Sequence, residues 1–165
     1  FFYIFLNLLL YMNLQHKLIN LFGNEVTEGG KLILSKLALV AFKDKLSQQL
    51  LNGIMWPEVL LLINKAVERE QKKKIKLFIV DAALIFEGHL DNILDSVLLI
   101  KTKDELRKQR AVRRKNISLS EIEKRMILQI DEKKKETLAD SIIQNDTTEE
   151  NLFKQLDNYY NKLIK

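Results

Sequence analysis

Apolar residues recur along this chain at two different spacings. Leu14, Leu18, Ile19 and Phe22 stand at helical spacing, and Gly23 with Asn24 is expected to stop that helix. A turn is expected at Gly29 and Gly30, then a helix over residues 31–51 with apolar positions at Leu32, Leu34, Leu37, Leu39, Val40, Phe42, Leu46 and Leu50. Asn52 and Gly53 read as its C-cap, and Pro57 as the first turn of a further helix over residues 58–73 that is apolar at Val59, Leu60, Leu62, Ile63, Ala66 and Val67.

The pattern then changes to short compact runs. Leu77, Phe78, Ile79 and Val80 are continuous and β-prone and break at Asp81, which predicts a strand buried on both faces with a carboxylate at its C-terminal end. In open α/β sheets that end of a strand is where ligands bind. Residues 96–100 and 140–143 read as two more strands, and the second ends at Asn145 and Asp146, residues suited to a turn. Helices are expected between and after them: a basic one over 103–114, one opened by the Ser118 and Glu121 capping box that runs through Ile122, Met126 and Ile130, and an amphipathic one over 149–164. Strands alternating with helices imply an α/β fold with a parallel sheet flanked by helices.

Composition narrows the picture. At 165 residues the chain suits one domain, and no linker or repeat divides it. Five glycines and one proline are few for so many connections, so helix should dominate. The absence of cysteine excludes a disulfide framework, a zinc-thiolate site and a thiol nucleophile, and fits a cytoplasmic setting. A net charge of +5 favours anionic partners without choosing among nucleotides, phosphorylated cofactors and nucleic acid. Residues 1–12 are almost wholly apolar. Asn7 interrupts the run and Asn13 ends it, too short for a spanning helix, and no basic leader or small-residue cleavage site accompanies it. No membrane partner is expected.

The basic segment is the clearest candidate for chemistry. On a helix Lys103, Arg107, Arg110 and Arg114 share one stripe, while Leu106, Ala111 and Val112 make no apolar face. A solvated surface helix is the plain reading of such a segment. With little packing to hold it, the stripe also suits an anion.

Taken together, Leu21-Phe22-Gly23, the spaced Val40, Phe42 and Asp44, residues 51–57 (Leu-Asn-Gly-Ile-Met-Trp-Pro), residues 81–87 (Asp-Ala-Ala-Leu-Ile-Phe-Glu), Arg110 with Arg114, Arg125 with Gln129, and Ala139-Asp140 leading to Asn145 resemble dephospho-coenzyme A kinase. That P-loop kinase phosphorylates the ribose 3′-hydroxyl of dephospho-CoA using ATP, in coenzyme A biosynthesis. The resemblance runs from about Leu18 to the C-terminus. It implies one kinase-like domain over residues 1–165, with a helical substrate-binding region at 31–73 and a lid at 103–125. It also implies catalytic roles for the lid residues Arg110 and Arg114, acceptor-side positions at Asp81 and Glu87, and a nucleotide-side position at Asn145. The implied partners are dephospho-CoA and ATP, with Mg2+ as the ATP counter-ion, and no protein metal site is identified. Arginine suits the lid because its guanidinium donates forked hydrogen bonds to phosphate oxygens, and phosphoryl transfer is catalysed mainly by positioning and charge stabilisation.

Four departures stand out. Trp56 replaces the family's usual histidine and Ala83 a frequent proline. More seriously, the 165 residues contain no Gly-x-x-x-x-Gly-Lys-Ser/Thr loop, and residues 1–12 hold no acidic residue to match the family's proposed catalytic aspartate. The reading at this stage is therefore a kinase chain without its P-loop strand, through truncation or a frameshift, and inactive as it stands. The apolar residues 1–10 are expected to insert in the sheet between 77–80 and 97–100 as a substitute strand. A non-catalytic RNA- or DNA-binding protein is the alternative. The basic segment lacks interleaved aromatics, and the chain shows no helix-turn-helix or RNA-recognition signature.

Overall fold

The computed structural model describes residues 12–115 and 118–164. The chain forms two compact units, Phe1–Ala83 and Leu84–Lys165.

The first unit is helical. Helix α1, Met12–Phe22, buries Leu14, Leu18 and Phe22 along one face. It ends where predicted, because Gly23 takes a left-handed φ of 78° and its amide reaches Ile19 O at 2.8 Å. A hairpin of two-residue strands follows, β1 (Thr27–Glu28) and β2 (Lys31–Leu32), with Thr27 opposite Leu32. Gly29 and Gly30 both have positive φ, as the tightest hairpin turn requires.

The helix expected over 31–51 is divided. Helix α2 spans Leu34–Ala41, and Asp44 then accepts from the Ser47 amide at 2.7 Å and caps a new helix, α3, Lys45–Gln71. The expected stop at Asn52-Gly53 does not occur, and α3 runs through both Gly53 and Pro57. Tertiary packing overrides these local signals. Leu51, Met55, Val59 and Ile63 form a buried stripe at a spacing of four, and α3 packs on α1 and α2. Lys17 on α1 also pairs with Glu58 on α3 at 3.1 Å. At 27 residues α3 is long and apolar enough to cross a bilayer by length and composition, but this buried stripe is committed to the unit's own core.

The strand predicted at 77–80 is corrected. Among the described residues Leu77, Phe78, Ile79 and Val80 join no ladder, and Ile79 is 75% exposed. Burial on both faces requires neighbouring strands, and none of the described strands pairs with this run. The predicted insertion of residues 1–10 lies outside the described residues.

The second unit is α/β. Residues 83–89 wind into turns, with Phe86 and Leu90 buried and His89 in the left-handed region. Strand β3, Leu98–Lys101, pairs in parallel with β4, Ser141–Gln144, Leu98 opposite Ser141. The Asp140 side chain sets this register by accepting from Val97 N at 2.7 Å, while Asp140 N donates to Val97 O at 3.0 Å. Between the strands lie three helices. Helix α4, Asp104–Lys115, is the basic segment, and α5, Leu119–Ile127, carries the predicted capping box. The helix expected to continue through Ile130 into the lysine run instead ends at Leu128, and Asp131 caps a separate α6, Glu132–Leu138. Helix α7, Glu149–Leu163, closes the chain with Thr148 as cap. It is amphipathic as expected, yet it buries no side chain, and Phe153 is 59% exposed.

Candidate active site

Most of the residues singled out from the sequence lie in the second unit. Helix α4 projects a row of cations, and the structure gives each a different environment. Arg107 pairs with Asp104 at 2.9 Å and with Glu132 of α6. Lys108 holds Glu123 of α5 at 2.9 Å, which keeps its ammonium above the ordinary lysine value. Arg110 is half-buried and donates through Nη1 to the Asn145 carbonyl at 2.8 Å. Arg114, one turn further, is exposed and pairs with nothing among the described residues.

Arg110 and Asn145 are thus brought together. The Asn145 amide donates to Lys101 O at 2.7 Å, and Asp146 accepts from Lys103 N at 2.7 Å. The turn after β4 is therefore fastened both to the end of β3 and to the start of α4. This leaves the Asn145 side-chain amide available, with the Arg114 guanidinium on the same helix as its brace. An uncommitted guanidinium on a helix tied to an ordered turn suits an anionic ligand such as a nucleotide phosphate.

Glu87 does not stand open toward a substrate as expected. Its Oε1 accepts from Ile130 N at 3.0 Å and from Lys135 Nζ at 2.8 Å, and both side chains of the ion pair are about nine-tenths buried, 9% and 10% exposed. The physical reason is local. Helix α6 presents Lys135 toward the 83–89 turn, and a buried carboxylate takes a cation when one is within reach. Neither Oε2 of Glu87 nor Nε of Arg107 finds a hydrogen-bond partner among the described residues, each omission costing about 1–3 kcal/mol. Asp81 lies in the first unit, exposed. Sequence reasoning missed Lys135 because it sits inside a run of three lysines that reads as a solvated helix end. Among the described residues no group of three or more His, Asp or Glu could hold a metal ion.

A family model described as "Dephospho-CoA kinase" matches residues 12–151. The chain belongs to the dephospho-CoA kinase family. The dephospho-CoA kinase of Fusobacterium nucleatum is 30% identical over 148 residues, covering 89% of this chain and 75% of that protein. That of Listeria monocytogenes is 31% identical over 145 residues, covering 87% and 72%. Among solved structures, TT1252 from Thermus thermophilus superposes with a TM-score of 0.68 at 26% identity, over 93% of this chain and 78% of that one. The dephospho-CoA kinase of Campylobacter jejuni gives 0.58 at 24% identity, which speaks to fold alone. Dephospho-CoA kinase is a phosphotransferase of coenzyme A biosynthesis, and the nucleic-acid-binding alternative receives no support from these relatives.

Proposed function

We propose that these residues supply the arginine arm and the acceptor side of a dephospho-CoA kinase, an enzyme of the cytoplasm that phosphorylates the dephospho-CoA 3′-hydroxyl with MgATP, with α4 as the arm that meets the transferring phosphate and no phosphate loop among the 165 residues. Arg114 supplies the free guanidinium. Arg110 braces the arm against the Asn145 turn, which lies beside the nucleotide. Asp81 is assigned to the acceptor side, together with the helical region 31–73. Magnesium enters with ATP as part of the substrate. The observation that carries this reading is the Arg110 to Asn145 hydrogen bond at 2.8 Å, which ties the arginine helix to the turn after β4. In phosphoryl transfer, fixed donors aimed at developing charge do most of the catalytic work.

The test is a titration of the chain with ATP and with dephospho-CoA by calorimetry, for the parent and for Arg114→Ala. The reading expects the variant to weaken ATP and leave dephospho-CoA unchanged. Equal ATP affinity in the two proteins would remove Arg114 from the site.

A further inference from the structure

Helix α6 is held in its unit almost entirely by charge. Its one apolar residue, Leu138, is exposed, and its one buried side chain is Lys135. Glu132, Lys135 and Glu136 stand at i, i+3 and i+4, which places them on one face. That face meets three other elements. Glu132 takes Arg107 of α4, Lys135 takes Glu87 of the 83–89 turn, and Glu136 takes Lys101 at the end of β3 at 2.6 Å. Glu87 also holds Ile130 N, so the same carboxylate pins the turn that leads into α6.

The path continues to the arginines. Arg107 lies three and seven residues before Arg110 and Arg114 on α4, positions that share its face. A buried ion pair is a weak source of stability compared with apolar packing, and here Glu87 Oε2 and Arg107 Nε find no hydrogen-bond partner among the described residues. What such pairs supply is a fixed direction between elements. We propose that Lys135 is a positioning residue: anchored on Glu87, it fixes α6, and α6 through Glu132 and Arg107 sets the orientation of the arm that carries Arg110 and Arg114. The proposal rests on the kinase reading of that arm. It gives Glu87 a role behind the substrate site.

Hydrogen-exchange mass spectrometry of the ligand-free chain tests it, with Lys135→Met, Glu132→Gln and the double variant Glu87→Gln/Lys135→Met. The first two should each speed exchange in residues 104–115 by about tenfold or more while 98–101 and 141–144 keep their rates. In the double variant no buried charge is left alone, so the melting temperature should recover while exchange in 104–115 stays fast. A purely structural role would restore both together, and that result overturns the proposal. So would an unchanged α4 in Glu132→Gln, a nearly isosteric change at a side chain 23% exposed that leaves no buried carboxylate behind. The kinase reading is separated by titrating ATP. If Arg114→Ala leaves ATP affinity unchanged, that reading fails while the exchange comparison still decides this one. If Arg114→Ala weakens ATP and Lys135→Met does not, only the positioning role is lost.

Discussion

Arg110 and Arg114 lie one turn apart on α4 and do different work. Arg110→Ala removes the hydrogen bond to the Asn145 carbonyl and Arg114→Ala removes only an exposed guanidinium. In a catalytically complete form of the enzyme, Arg114→Ala should lower turnover by about 10² to 10³, the usual loss for a donor that stabilises transferring charge, and Arg110→Ala should lower it by loosening the arm. Thermal melting separates the two, because only Arg110→Ala should also loosen the fold, by about 1 kcal/mol, since the Asn145 carbonyl then keeps only the 3.5 Å bond from the Thr102 hydroxyl. That Arg110 and Arg114 share one helix was legible in the sequence because their spacing is local. Glu87 was legible as a position and not as a role, since the groups that claim it come from a distant part of the chain, Ile130 being 43 residues away. Replacing Glu87 alone by Ala leaves the Lys135 ammonium buried and unpaired, and should cost about 3–5 kcal/mol in urea unfolding. A loss under 1 kcal/mol would show that the pair is solvated in solution.

Helices capped by their own neighbours were readable as elements, and those decided by packing were not. Gly23 and the Ser118 capping box close and open helices where expected, because the hydrogen bonds involved span only a few residues. Asn52, Gly53 and Pro57 suggested a break in α3 that the buried stripe of Leu51, Met55, Val59 and Ile63 overrides. The override has a cost. Pro57 has no amide to donate to Gly53 O and crowds that carbonyl, so Pro57→Ala should raise stability by up to about 3 kcal/mol in chemical denaturation. No gain would mean that α3 bends at this point in a way that depends on proline. The Asp44 cap adds a pH dependence. Its bond to Ser47 N holds the carboxyl below its ordinary value, so the stabilisation is complete above the unfolded value and is lost as the pH falls through the folded one, below about pH 4. Asp44→Asn, which keeps the capping oxygen without the titration, should flatten that acid limb in a melting series from pH 6 to pH 3. An identical limb in both proteins would assign the loss to other carboxylates.

The fold class was legible for the whole molecule, but the pairing of its sheet was not. Parallel β3 and β4 and the helices between them follow from alternating runs, whereas 77–80 reads as a buried strand by composition and joins no ladder among the described residues. A strand exists only where a partner accepts its hydrogen bonds, and apolar content says nothing of partners. The same reasoning bears on activity. The 165 residues hold the arginine arm and the helical region 31–73 but no glycine-rich loop followed by lysine and a hydroxyl residue. In the proposed reading the arginines of α4 meet a transferring phosphate from one side, and without a cradle of backbone amides on the other side they cannot fix it in line with the acceptor hydroxyl. These residues by themselves should therefore bind dephospho-CoA weakly and form no coenzyme A from it above background with MgATP, as followed by chromatography. Joining them to a strand followed by a Gly-x-x-x-x-Gly-Lys-Ser/Thr loop should restore turnover, and Arg114→Ala in that fusion should abolish most of the gain. Coenzyme A formed at an enzymatic rate by the 165 residues alone would mean that other groups in this chain cradle the ATP phosphates.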